Sequence, residues 1–202
     1  IQPALPPHPL APPLDEELPA WLKQEEIGEG LTTKPQTVRQ LCSEGNTKCS
    51  MSEERGDLFD VPNEWSLCHC VSQDFAMGKG IAVKFRQKFG GIKELKKQKT
   101  CIGGIAVLQH EKRWIYYLVT KKRYDHKPSM QSLAQCIRTM RDHMTGNNVT
   151  KLAMPRIGCG LDLLLWEAVK ELVISIFRDK KVELLVRRKD KKAQGNLRQE
   201  AA

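Results

Sequence analysis

Residues 151–178 read KLAMPRIGCGLDLLLWEAVKELVISIFR, and this stretch decides the fold. Lys151–Met154 is a short apolar strand, and Pro155 ends it because proline has no N–H to donate to a ladder. A loop follows with glycines at 158 and 160. Leu163–Arg178 then repeats apolar residues at the spacing of a helix. A strand, a glycine loop and a helix in direct succession form the repeating unit of a helix-covered sheet. Asp162 stands at the helix entrance, where its carboxylate can cap the first free N–H groups.

The same unit recurs upstream. Ser66–Val71 (SLCHCV) is an apolar run suited to a buried strand. Met77-Gly78-Lys79-Gly80-Ile81-Ala82 is a glycine loop that opens straight into the helical pattern Ile81–Phe89, which Gly90-Gly91 ends. Ile105–Leu108 and Trp114–Thr120 are β-rich in composition and read as a hairpin-like pair. Ser129–Met144 places Leu133, Cys136, Ile137, Met140 and Met144 on one helical face. Val182–Val186 is a final strand. Alternating strands and helices predict an α/β architecture with helices on both faces of the sheet.

The chain has 202 residues, of which 40% are hydrophobic, so it can bury one core. Lys and Arg number 33 against 24 Asp and Glu, a net charge of +9, which favours anionic partners. The charge is uneven: residues 1–50 carry −3, residues 51–179 carry +7 and residues 180–202 carry +5. Seven of the eleven prolines fall in residues 1–19, a segment that favours polyproline II over a packed core. Residues 1–50 are read as a disordered leader, 51–187 as the domain and 188–202 as a basic disordered tail. The leader is either a ligand for a proline-binding module or a plain flexible segment. The tail is either a localisation signal or weak nucleic-acid contact, or a solvated charge run. No run reaches the ~18 apolar residues of a membrane span, so no membrane partner is expected. Seven cysteines without a CxxC pair give no zinc or disulfide framework, and no metal is expected. Reduced thiols fit a nuclear or cytoplasmic location.

Four segments carry candidate chemistry. Gly56-Asp57-Leu58-Phe59 places a carboxylate at a strand end, where it can accept from a ligand; alone it reads equally as a turn. The Met77–Ala82 loop lets backbone approach a ligand at a helix N-terminus, a setting that favours anions. It has no GK[ST] and is therefore not a Walker A loop. Leu118–Arg123 runs a strand into three cations, and a lysine there can serve as a nucleophile toward an aldehyde-like carbon. Two glycine loops, at 77–82 and 156–162, can hold the two ends of a diphosphate.

GDLF at 56–59, HCVSQDFAMGKGIAVKF at 69–85, YYLVTKKR at 116–123, HKP at 126–128 and MPRIGCGLD…WE at 154–167 together resemble the macrodomain proteins. The likeness is greatest to the branch known as terminal ADP-ribose protein glycohydrolase, or O-acetyl-ADP-ribose deacetylase. It spans roughly residues 55–187. It implies a three-layer α/β/α fold with a mixed central sheet and an ADP-ribose cleft at the strand ends. Asp57 and Leu58 match the adenine end, and Met77, Gly78, Lys79, Gly80 and Ile81 the distal-ribose loop. Ile157, Gly158, Cys159, Gly160 and Leu161 match the diphosphate loop, with Ser72 and Thr120 close to the ligand. Lys121 and Asp162 match the catalytic lysine and aspartate. The implied partners are ADP-ribose and ADP-ribosylated proteins, with a monomeric chain and no cofactor. The implied activity removes ADP-ribose from acidic side chains and deacetylates O-acetyl-ADP-ribose. The alternative is a reader that binds ADP-ribose or poly-ADP-ribose without turnover, with the basic tail as a candidate weak contact for poly-ADP-ribose. Two positions depart from the family pattern: Met51–Arg55 is polar where an apolar first strand is expected, and Leu163 and Leu165 are apolar beside the cleft.

Overall fold

The structure, a computed structural model, describes residues 48–159 and 163–188. Residues 1–47 of the leader and 189–202 of the basic tail, with Gly160, Leu161 and Asp162, lie outside the described residues; Ser50 and Arg188, read as leader and tail, belong to strands. Six strands form one sheet: β1 (Ser50–Arg55), β2 (Ser66–Ser72), β3 (Ile105–His110), β4 (Arg113–Lys121), β5 (Lys151–Met154) and β6 (Glu183–Arg188). Their spatial order is β1-β6-β5-β2-β4-β3. All neighbours are parallel except β3, which runs antiparallel to β4 across the hairpin that the sequence predicts. The helices are α1 (Ile81–Phe89), α2 (Ile92–Lys97), α3 (Met130–Gly146) and α4 (Trp166–Phe177).

Strict alternation along the strands builds two cores. Tyr116 and Leu118 of β4 pack with Leu133, Ile137 and Met140 of α3 and with Val169 and Phe177 of α4. Ile115, Tyr117 and Val119 point the other way, toward Phe85 of α1 and Leu95 of α2. Side chains along a strand alternate between faces, so one β4 sequence supplies both layers. The expected mixed-sheet α/β/α architecture is the one found.

Local chemistry sets the helix starts. Ser129 and Ser132 form a reciprocal capping box at the head of α3. The Ser132 hydroxyl also donates to the Thr120 carbonyl at 2.8 Å, tying the helix head to the end of β4. Helix α4 starts three residues later than its periodicity predicts. Leu165 occupies its N-cap position, and the predicted capping residue Asp162 lies outside the described residues. The reason lies in the loop, where Leu163 has φ +62, a value no helix interior accepts. Helix α2 has no counterpart in the sequence reading, because six residues are too few to show a period.

The polar run Met51–Arg55 is the first strand. It is an edge strand, parallel to β6 with Glu53 beside Val186 and Glu54 beside Arg187. Its charges are matched by neighbours: Glu53 meets Arg156 at 2.6 Å and Arg188 at 3.4 Å, and Glu54 meets Arg187 at 3.3 Å. An apolar pattern is needed only where both faces are covered, and an edge strand can instead be held by ion pairs.

Candidate functional site

A cleft of about 990 Å³ opens at the carboxyl ends of the parallel strands. The topology places it there. After β2 the chain turns to α1 on one face, while after β4 and β5 it turns to α3 and α4 on the other. Departing in opposite directions, the connections leave a crevice above β2, the usual ligand position in such sheets.

Loop 73–80 forms one wall. Phe75 and Met77 have φ of +50 and +40, a conformation that costs side-chain-bearing residues of order 1–3 kcal/mol each. Asp74 holds the loop in this shape. Its Oδ1 accepts from the Ser72 hydroxyl and from the Ala76 N–H at 3.1 Å. Burial favours the neutral Asp74 carboxyl. The bonds from Ser72, Ala76 and the Tyr124 backbone, with Arg123 nearby, outweigh it and hold its pKa below the usual range. The Gln73 N–H donates to the Lys121 carbonyl at 2.9 Å, so the loop and the Lys121 backbone are locked together. Gly80 then caps α1, whose N-terminus faces the cleft wall.

The opposite wall is Pro155–Gly158. Gly158 has φ +72, and its carbonyl accepts from the Leu164 N–H at 2.8 Å. A Cβ there would lie 2.8 Å from Leu164 Cδ1, so the turn requires glycine. This closure fixes both sides of the segment that contains Asp162.

Ten of the sequence-predicted residues line the cleft: Leu58, Ser72, Met77, Gly78, Lys79, Gly80, Ile81, Lys121, Ile157 and Gly158. Lys121 is the last residue of β4 and is half-buried. Three predicted residues stand outside the wall. Asp57 is turned inward: its Oδ1 accepts from the Phe59 N–H at 3.0 Å and its Oδ2 pairs with Lys84 at 2.6 Å. Thr120, only 2% exposed, sits on the α3 side of the sheet, and its hydroxyl has no hydrogen-bond partner. The Cys159 thiol donates to the Ile157 carbonyl. Asp162, Gly160 and Leu161 lie outside the described residues.

The wall also holds residues that the sequence reading does not single out: Arg55, His69, Tyr124, Arg156, Arg187 and Arg188. Once β1, β5 and β6 are known to be parallel, the residues that end them are the signal for the arginines. His69 is fully buried, stacked on Phe85 at 3.8 Å between ring centroids and edge-on to Tyr117. Neither ring nitrogen finds a hydrogen-bond partner. Burial pushes its pKa down to about 3, against a smaller opposing pull from the Cys70 backbone, so the ring is neutral at pH 7. Among the described residues no cluster of three or more His, Cys, Asp or Glu is placed to hold a metal ion. No helix among them is long and apolar enough to cross a membrane.

The Macro domain family model matches residues 68–173. The ADP-ribose glycohydrolases OARD1 of Homo sapiens and Bos taurus are each 48% identical over 132 residues, 65% of this chain and 87% of the relative. Among solved structures, the macrodomain of Thermus aquaticus DarG matches with a TM-score of 0.63 and 25% identity. It covers 69% of this chain and 99% of that one. The macrodomain of Mycobacterium tuberculosis DarG, at 24% identity and TM-score 0.62, shares the fold over 71% of this chain and 98% of its own.

Proposed function

Because the chain belongs to the macrodomain family, we propose that it is an ADP-ribose-binding hydrolase that releases ADP-ribose from acidic side chains of modified proteins. The same chemistry deacetylates O-acetyl-ADP-ribose when the acetyl ester is carried on C1″ of the distal ribose, because the bond broken is then the same. The observation that carries the reading is the position of Lys121 on the wall of one cleft with the glycine loops at 78–80 and 157–158. The loops and the head of α1 offer backbone N–H groups to a diphosphate. With the diphosphate between β2 and β5, the distal ribose falls over the end of β4, within reach of Lys121.

In the proposed reaction the neutral Lys121 amine attacks C1″ of the distal ribose. The bond from C1″ to the carboxyl oxygen breaks, and the substrate carboxylate leaves with its electron pair. The amine nitrogen then passes a proton to Asp162, which serves as acid and base. Asp162 returns that proton to the lysine nitrogen and takes one from the water that adds to C1″, which releases ADP-ribose and restores the amine. Departure of a carboxylate needs little acid assistance, which matches a site with a nucleophile and one acid/base group.

Calorimetric titration with ADP-ribose, followed by a release assay on glutamate-ADP-ribosylated protein, tests this reading. Binding and release are expected together. Binding without release would make the chain a reader, and absence of binding would sink the reading.

A further inference from the structure

Arginines crowd the end of the cleft away from Lys121, and the proposed hydrolysis uses none of them. Arg55 ends β1, Arg187 and Arg188 end β6, and Arg156 follows β5. Successive strand residues point to opposite faces, so Arg187 and Arg188 flank the end of β6 from both sides. Their contacts agree with this. Arg187 donates to the Arg55 carbonyl at 3.2 Å and pairs with Glu54, while Arg188 pairs with Glu53. Glu53 is shared with Arg156, whose guanidinium lies over the Trp166 ring.

Two features mark this as a built cationic pocket. Among the described residues, Arg156, Arg187 and Arg188 share only the carboxylates Glu53 and Glu54. Surplus positive charge at one end of a half-enclosed cleft raises its potential toward anions. Second, among the described residues the buried Nε–H of Arg187 has no hydrogen-bond partner, while the Nε of Arg188 faces Glu53 Oε1 at 3.4 Å. The guanidinium of Arg187 is also seated against backbone: a Cβ on Gly56, whose φ is +149, would lie 2.7 Å from its Nη1. Gly56 therefore leaves the room that this guanidinium fills on the cleft wall.

We infer that Arg55, Arg187 and Arg188 form a second phosphate subsite, for a phosphate carried on the adenosine side of bound ADP-ribose. This rests on the proposed function, which sets the direction of the ligand. With the distal ribose over β4 and the diphosphate between β2 and β5, the adenosine continues toward β6. Strands spaced about 4.8 Å apart put the ends of β4 and β6 roughly 14 Å from each other, a distance for an extended nucleotide to cross. A phosphate attached through the adenosine ribose then arrives where planar guanidinium groups can bind it in bidentate fashion. Two sources share that chemistry: a monoester on the adenosine 2′-oxygen, and the diphosphate of a second ADP-ribose unit joined there.

The test is titration of the full 202-residue chain with three ligands. They are ADP-ribose, ADP-ribose with a 2′-phosphate on the adenosine ribose, and a ribose-linked ADP-ribose dimer. At least one phosphate-bearing ligand is expected to bind roughly tenfold tighter than ADP-ribose, the scale of one charge-assisted hydrogen-bond pair. Which of the two does so identifies the source. In the double variant Arg187→Gln, Arg188→Gln, the ratio of affinities is expected to fall to near one. Equal affinity of the wild-type chain for all three ligands overturns the subsite but leaves the hydrolase reading standing. Failure to bind any of them overturns both. A preference that survives in the double variant places the phosphate elsewhere and also overturns it. The wild-type comparison decides the matter even if the variant does not fold.

Discussion

The two ends of the cleft are built on different physics. At the β4 end, polar groups are few and fixed: Asp74 binds Ser72 and Ala76, Gln73 binds the Lys121 backbone, and His69 is neutral between aromatic rings. At the β6 end, guanidinium groups and carboxylates meet at half-exposed positions on an edge strand. Packed, dehydrated surroundings hold a reacting group in one geometry, which a nucleophile needs. Solvated charge is tolerant of geometry and attracts at a distance, which suits capture of an anion. Under the proposed function, chemistry and recognition sit on opposite flanks of one sheet.

Lys121→Ala is the hardest test of this division. Hydrolysis is expected to fall by at least about a thousandfold, since the covalent route is lost. ADP-ribose affinity, which rests on the loops, is expected to stay within a few-fold in calorimetry. Turnover at the wild-type rate would show that the β4 end is not the reacting end. Asp162→Ala is expected to slow turnover by about a hundredfold or more, the range of general acid–base assistance. Mass spectrometry of this variant after reaction with substrate should reveal the Lys121 adduct. Unchanged activity with no adduct would remove Asp162 from the mechanism.

The β4 end was readable in the sequence because its chemistry and its punctuation coincide. The glycine loop at 77–82 announces both the start of α1 and a wall of the cleft, and Lys121 closes a strand recognisable from WIYYLVT. The β6 end was not readable. Met51–Arg55 has no apolar period, because ion pairs rather than burial hold it, and its partners lie more than 100 residues away in Arg156, Arg187 and Arg188. Arg187 and Arg188 look in the sequence like the first charges of a basic tail. Only the pairing of β1 with β6 shows that they end a strand at the cleft. The start of α4 was misread for a related reason. Periodicity does not register the positive φ of Leu163, so the apolar run 163–165 looks like helix. Those leucines are instead exposed, at 71% for Leu163 and 75% for Leu165.

Acid separates the two ends. His69 has its folded pKa lowered from 6.5 to about 3, so the unfolded chain binds a proton that the folded chain refuses. Its contribution is complete above pH 6.5 and is lost as pH falls from 6.5 toward 3, with a slope approaching about 1.4 kcal/mol per pH unit. Glu53 behaves differently. Burial would raise its pKa, but Arg156 and Arg188 hold it below 4.5, so its pairing persists until pH drops below that value. Between pH 6.5 and 5 the wild-type chain is therefore expected to lose stability through His69. Denaturant midpoints for His69→Phe over the same window should be flatter. Parallel curves for the two proteins would mean that His69 is not the group being protonated.

Glu54→Gln is expected to produce the smallest change and gives the finest test of the comparison. The Arg187–Glu54 pair is partly exposed, with Glu54 53% accessible, so removing its charge should cost no more than about 1 kcal/mol. The sign of the binding effect matters more. If Arg187 is there only to hold an edge strand, Glu54→Gln weakens the strand and leaves ligand preference where it was. If Arg187 serves a phosphate, Glu54 competes with that phosphate for the same guanidinium. Neutralising it should then raise the preference for the adenosine-phosphorylated ligand over ADP-ribose while stability falls slightly. The gain should shrink as salt is added, because the charges at this end are open to solvent and screened within about 10 Å at 0.1 M. The Lys121 end should show no such response, since its half-buried carboxylate Asp74 is already held by Ser72 and Ala76. Stability and preference moving in opposite directions on one substitution separates a charge kept for binding from a charge kept for the fold.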